Sequence, residues 1–362
     1  AFMICIFVVI WYILYSFKSV KQFFFRGIAF TFYSFLAAGM AAIMLIPAYL
    51  GIKQTASGES MSLPEHSFLT NAADLLNRQF AMWTPITHDN FDGNVNLYIG
   101  IFTVLAVVLY LLNSKIKISE KIKKVLLIGF FYLSFSEMIL NFIWHGFHDQ
   151  YGIPNRFSFL FGFVLLYMLW EVFENLEGTK GWHIALACMA GVGLLVYARA
   201  KGTNPLDDEV YGVAGMLFIL YGMLLFLYTL SRKRKGWYKN AFCIVALIEI
   251  VATAFMGFNE NGQIAVPKFF YGVNDMEKAV ASLGDKTFYR SELASSLIVD
   301  ENALYPINGV GLFGSTASDS MVNLMDNLGF YTGCNEYLYK GATPVTNLLL
   351  NVKYLYYHQE DT

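Results

Sequence analysis

The chain reads as a polytopic α-helical membrane protein carrying a C-terminal extracytoplasmic domain of α/β or α+β class. Three observations predict this. Of its 362 residues, 56% are hydrophobic and 17% aromatic while only 14% are charged, more apolar surface than a water-soluble core can hide. The apolar residues gather into runs of bilayer-crossing length. Those runs stop near residue 258, and residues 259 to 362 have ordinary polarity, turn signals and mixed periodicity.

The spans come first. About eight stretches reach the length a bilayer needs: roughly 1 to 17, 27 to 50, 97 to 112, 125 to 143, 157 to 173, 182 to 198, 210 to 230 and 241 to 258. Residues 1 to 258 are therefore expected to form a transmembrane domain with about eight helices and one long outer loop, 51 to 95. The opening "AFMICIFVVIWYILYSF" lacks an initiator Met, a charged n-region and a small-residue cleavage site, so it reads as an interior span and not as a signal peptide. An odd number of helices upstream is expected if the full protein begins in the cytoplasm.

Orientation follows from lysine and arginine, which are retained on the cytoplasmic side when they lie in short loops. Lys18, Lys21 and Arg26 mark the first loop, Lys115, Lys117, Lys121, Lys123 and Lys124 the third, and Arg232, Lys233, Arg234, Lys235 and Lys239 the seventh. The alternate loops, 51 to 95, 144 to 156 and 199 to 209, carry more acids than bases, including Asp207, Asp208 and Glu209 in a row. These are expected outside. The fifth loop, "EVFENLEGTKG", is more acidic than its expected cytoplasmic side favours, and its neighbours outvote it.

Cysteine usage adds little: Cys5, Cys188 and Cys243 fall in spans and Cys334 stands alone, without disulfide or metal-type spacing. In the C-terminal domain, "NDMEKAVASLG" has helix grammar, with Asn274 as cap and Gly284 as stop, and "SDSMVNLMDNLG" repeats it to Gly329. "TFYRSEL" and "VKYLYYH" are aromatic and β-branched enough to be strands.

Polar chemistry concentrates in the outer loops. Loop 51 to 95 holds a predicted helix lying along the membrane, "PEHSFLTNAADLLNRQFAMW", then His88, Asp89 and Asp92. Those three residues fit a cation-binding or acid/base cluster, and equally an Asx-rich turn closing at Gly93. Loop 144 to 156, within "WHGFHDQYGIPNRFSFLFGF", offers His145, His148 and Arg156. A guanidinium directly after "IPN" at a span boundary presents a planar fork to a lipid phosphate, though such a side chain can also simply snorkel to headgroups. Glu137 and Glu249 lie inside spans, where an acid must face a cavity or bond to a neighbouring helix.

The stretches "NLYIGIFTVLAVVLYLL", "WHGFHDQYGIPNRFSFLFGFVLLYMLW", "FYRSEL", "LFGSTASDSMVNLMDNLGF" and "YLYKGATPVTNLLLNVKYL" resemble YfhO-type bacterial membrane proteins in order and separation. The resemblance covers nearly the whole chain from about residue 27. It implies a multi-pass bacterial cell-membrane glycosyltransferase of the GT-C type, using a polyprenyl-phosphate-linked sugar to glycosylate an envelope polymer such as lipoteichoic acid. In such enzymes the catalytic acid sits in a first outer loop that this sequence does not contain, so the resemblance names no catalytic residue here.

Under that reading Arg156 would hold the donor phosphate, with His145 and His148 donating to it, while Asp89, Asp92 and His88 would orient the sugar or hold a divalent cation. No other cofactor and no nucleic-acid partner are expected; the partners are the bilayer, the lipid-linked sugar and the polymer. The rival classes are a lipid-linked-sugar flippase or transporter, which broken helices near mid-span would favour, and a non-catalytic envelope assembly protein.

Overall fold

The computed structural model describes residues 2–55, 63–86, 95–148, 155–230, 235–260, 270, 272–296 and 299–357. The chain divides into two units, one of residues 1–23 and 61–263, the other of residues 24–60 and 264–362.

Helices dominate the first unit: α1 (Phe2–Tyr15), the start of α2 (Val20–Ile52), α3 (Ala72–Phe80), α4 (Ile101–Leu112), α5 (Ile118–Ser136), α6 (Met138–Trp144), α7 (Ser158–Glu174), α8 (Gly181–Lys201), α9 (Asp208–Leu230) and α10 (Lys235–Glu260). Among the described residues four helices are long and apolar enough to cross a membrane, α2, α8, α9 and α10, while α1 and α4 are shorter apolar helices. The apolar runs read from the sequence thus all fold as helices, but not all as uninterrupted ones.

Two interruptions have clear causes. At 12 residues, α4 is about 18 Å long against a hydrocarbon core of about 30 Å. Residues 95–99 complete that stretch as non-helical backbone, tolerated because Val95 and Leu97 are buried in protein. Gly100 makes the turn into the helix at φ 91°, a region that only glycine enters cheaply. The second break separates α5 from α6 at Glu137, whose carboxylate accepts the Ile139 and Leu140 amide protons at 3.0 and 2.7 Å and so caps α6. The break is closed from the side: Leu69 N donates to Ser136 O at 2.7 Å and Met138 N to Ser67 O at 3.1 Å. Because α5 alone has 19 residues, about 28 Å, this break falls near one end of the span.

Core packing centres on α4, which lies against α7, α8 and α9. Tyr110, Phe131, Phe161, Phe218 and Tyr221 are fully enclosed there. Lipid tails are as apolar as these side chains, so close packing and ring geometry hold the helices together more than water exclusion does. Gly191 lets α8 and α9 approach, since a Cβ there would sit 2.9 Å from the Phe218 ring.

The loop helix differs from expectation. It is confined to Ala72–Phe80, and Ala73, Asp74, Leu75, Asn77, Gln79 and Phe80 are buried, with α3 packed on α8. Polar groups dictate this. Asp74 accepts from Thr203 N at 2.8 Å, Thr203 Oγ1 at 2.6 Å and Asn204 N at 3.1 Å, while Asn77 donates to Ala198 O at 3.1 Å and accepts from the Tyr211 hydroxyl at 2.7 Å. A helix bearing these groups is satisfied against the α8–α9 loop, and a headgroup layer could not offer so specific a set of donors.

In the second unit, α2 from Phe24 onward has no buried residue. Beyond it come α11 (Val273–Leu283), β1 (Arg290–Leu293), α12 (Glu301–Leu304), β2 (Leu312–Phe313), α13 (Asp319–Asn327), β3 (Tyr331–Gly333), β4 (Glu336–Leu338), α14 (Pro344–Leu350) and β5 (Val352–Tyr356). β1 pairs parallel with β5, and β2, β4 and β3 form an antiparallel sheet in that order. Gly272, not Asn274, stands at the N-cap of α11, and Gly284 ends it in the left-handed conformation. At the foot of α2, Thr55 bridges to Ser318 and Asp319 N donates to Gln54 O at 2.9 Å.

Candidate functional site

The α6–α7 junction carries Arg156, His145 and His148. Its frame is aromatic: the Trp144 and Phe157 rings stack at 4.7 Å and 9°, and Phe157 stacks on Phe135 at 5.0 Å and 15°. Asn141 Nδ2 hydrogen-bonds Asn155 Oδ1 across the loop mouth, with Asn155 in the left-handed region at φ 57°. On this frame Arg156 is exposed, while His145 and His148 are half-buried.

His145 is the better defined of the two histidines. Its Nδ1 lies 2.8 Å from the Asn141 carbonyl, and its ring meets Phe157 edge-on at 5.8 Å. A carbonyl only accepts, so Nδ1 carries the proton and the neutral ring leaves Nε2 as a lone pair; Nε2 is enclosed and makes no hydrogen bond. Burial pushes the imidazole below its ordinary value, the Asn141 carbonyl pulls it back, and the Arg156 charge lowers it further. In the neutral ring the proton therefore sits on Nδ1 and the lone pair on Nε2.

Glu137 and Glu249 are both buried and both bonded to helix starts. Glu249, on α10, accepts the Ile101 amide proton at 2.7 Å and the hydroxyl protons of Tyr98 and Tyr221. Its carboxylate thus serves α4 as a cap supplied by another helix, complementing the positive end of the α4 dipole. Tyr98 and Tyr221 were not legible as partners, because nothing in their spacing marks them out from the other aromatics of the spans.

Beside Glu249 runs a groove of about 670 Å³ whose walls include Pro85, Asn96, Tyr98, Leu166 and Phe258. A second, mostly apolar hollow of about 390 Å³ lies between α9 and α10, with Trp83, Leu217, Val245 and Met256 in its walls beside Glu249 and Thr253. Leu166 belongs to α7, the helix that begins just after Arg156.

His88, Asp89 and Asp92 lie outside the described residues. Among the described residues no group of three or more His, Cys, Asp and Glu side chains is placed to hold a metal ion.

Sequence reasoning also missed a cation held at the other end of α7. Lys124 is fully buried, its Nζ 2.7 Å from the Tyr15 hydroxyl, 3.5 Å from Glu171 Oε2, and over the Tyr167, Tyr15 and Trp11 rings at 4.3, 4.8 and 4.9 Å. In sequence it is the last member of a lysine run, indistinguishable from its solvated neighbours.

Long apolar helices, a buried carboxylate bonded at span depth and lateral grooves define a multi-pass membrane protein. A family model described as "Bacterial membrane protein YfhO" matches residues 1–362. The chain belongs to the YfhO family of bacterial membrane proteins. No curated protein and no solved structure matches it.

Proposed function

We propose that the chain acts as a GT-C-type membrane glycosyltransferase, moving a sugar from a polyprenyl-phosphate donor to an envelope polymer such as lipoteichoic acid on the outer face. One observation carries this reading: a single helix, α7, leads from the exposed Arg156 to Leu166 in the wall of the groove. Ten residues of helix span about 15 Å. Phe159 and Leu166, seven residues apart and both exposed, continue one apolar stripe along it. A donor lipid would lay its isoprenoid chain along that stripe into the groove and bring its phosphate to the guanidinium.

In this reading the bond between the sugar's anomeric carbon and the phosphate oxygen breaks as an acceptor hydroxyl oxygen bonds to that carbon, the hydroxyl proton passing to the departing phosphate or to water. The electron pair leaves with the polyprenyl phosphate, whose charge Arg156 offsets. His145, close enough to Arg156 to feel its charge, and His148 three residues on complete the donor-phosphate site. Asp89, Asp92 and His88 orient the sugar or hold a divalent cation.

The test is donor turnover in native membranes at matched protein level. A charge-assisted bond to phosphate is worth roughly 1.5 to 3 kcal/mol, so Arg156→Ala should cost tenfold or more. Arg156→Lys should restore part, keeping the charge and losing the fork. Unchanged turnover in Arg156→Ala would make the arginine an interfacial anchor.

A second reading, translocation of the lipid-linked sugar, is favoured by one feature: α4 starts at hydrocarbon depth against the Glu249 carboxylate. Vesicles that move the labelled lipid between leaflets without transferring its sugar would select it.

A further inference from the structure

At the end of α7 remote from Arg156, the loop between α4 and α5 packs on the loop between α7 and α8. Asn113, fully buried, donates through Nδ2 to Asn175 O at 2.8 Å and Thr179 Oγ1 at 3.4 Å, and the Ser114 hydroxyl donates to Gly178 O at 3.4 Å. Gly178 is required: a Cβ there would run into Asn113 Oδ1 and come 2.8 Å from Lys115 Cγ. The Lys115 stem therefore lies against the second loop. Lys180 follows two residues later, its amide donating to His183 Nδ1 at 3.2 Å, and the charges of Lys180 and Lys121 both act on that ring.

The corner so built carries Lys115, Lys121 and Lys180, with Lys117 at the N-cap of α5 one turn before Lys121. Their basic neighbours are occupied, Lys123 by Glu120 at 2.8 Å and Lys124 by Tyr15 and Glu171, whereas none of the four makes an ion pair among the described residues. The acids nearest in sequence to the second loop are Glu174 and Glu177, both exposed. On α5, Ile118, Ile122, Val125 and Leu126 are exposed at helical spacing, and Trp182 stands exposed beside Lys180.

We propose that this corner binds the headgroup of an anionic phospholipid, with the phosphate among the four lysines and an acyl chain along the Ile118, Ile122 and Val125 stripe. Charge alone would suit any phosphate. The stripe running from the lysines along α5 selects a lipid, because it gives an attached chain a dry surface that a free anion cannot use. The inference is independent of the proposed glycosyl transfer.

Native mass spectrometry of the purified protein, delipidated and titrated with phosphatidylglycerol or phosphatidylcholine of the same chains, tests it. Each lysine near an anionic headgroup contributes enough that Lys121→Gln with Lys180→Gln should weaken phosphatidylglycerol binding about thirtyfold, leaving phosphatidylcholine unchanged. Inorganic phosphate at matched concentration should not displace the lipid. An undiminished preference in the double variant, or displacement by inorganic phosphate, would overturn the proposal. Should the double variant fail to fold, the wild type decides: raising salt from about 0.05 to about 0.5 M should abolish its preference, and a preference that survives would refute the site.

Discussion

Glu249 on α10 accepts the amide proton of Ile101, the first residue of α4, at 2.7 Å. Two tyrosine hydroxyls share the same carboxylate. Removing it leaves two buried donors, at Ile101 and Tyr221, without an acceptor, each costing about 1 to 3 kcal/mol, and frees the half-buried Tyr98 hydroxyl. Glu249→Ala should therefore lower the midpoint of thermal unfolding in nanodiscs markedly, and Glu249→Gln, which keeps one acceptor oxygen, by less. Equal midpoints for wild type and Glu249→Ala would show that the carboxylate does not hold α4.

Lys124 joins α1, α5 and α7 through Tyr15, Trp11, Tyr167 and Glu171. Breaking a buried ion pair from one side costs roughly 3 to 5 kcal/mol, because the remaining charge is stranded. Lys124→Ala is expected near that range, tempered by the partial exposure of Glu171. Lys124→Met combined with Glu171→Gln should recover most of the loss. Urea-detergent unfolding of wild type, Lys124→Met, Glu171→Gln and the double variant tests this, and additive losses would mean that the two groups do not interact.

His145 titrates below the ordinary histidine range, first because it is buried and then because Arg156 repels its charge, against the pull of the Asn141 carbonyl. Its folded form binds fewer protons than its unfolded form, so this group's contribution to stability is present above the ordinary value of about 6.5 and is lost as pH falls. Arg156→Ala should move the His145 titration upward in NMR of histidine-labelled protein. A downward move would contradict the proximity of the two side chains.

In the second unit, burial raises the Glu292 carboxyl, while the Val310 and Gly311 amides bonded to it act the other way. The folded form then holds its proton to higher pH than the unfolded form, so this contribution is full at low pH and disappears as pH rises through the raised value. Asp285 behaves oppositely, held well below the usual carboxylate range by the Lys353 ammonium and by Thr287. As pH falls through the raised value toward the ordinary carboxylate range, wild type should gain stability relative to Glu292→Gln. Parallel pH profiles would remove Glu292 from the account.

Topology has a natural reporter. Cys334 is exposed in the second unit, and the lysine-rich loops argue that this unit lies outside. An impermeant maleimide should label Cys334 in intact cells and leave a cysteine at Ser119 unlabelled until the cells are opened. The reverse pattern would invert the whole orientation.

Much of the helical layout was legible because a bilayer imposes length and apolarity on every span. The interruptions were not, since they depend on partners remote in sequence: Glu249 for Ile101, and Ser67 for Met138. Likewise "NAADLLNRQF" announces a helix but not its burial, which rests on Thr203, Asn204 and Tyr211. The acidic fifth loop packs on the lysine-rich third loop at Lys115, a contact that counting each loop's charge singly does not reveal. Arg156 and His145 were found by residue type and boundary position, whereas the proton-bearing nitrogen of His145 needed the Asn141 carbonyl to decide it.

The bond between Glu249 and Ile101 also sets a schedule. The two residues lie 148 positions apart, and a ribosome adding about 5 to 20 residues per second needs roughly seven to thirty seconds to cover that distance. Throughout that interval the nascent chain holds a 12-residue apolar helix whose upper end has no acceptor for its first amide. Insertion of this segment is thus provisional, finished retroactively when α10 enters the membrane, and a chain stalled before residue 249 should present α4 to quality control as an unfinished span.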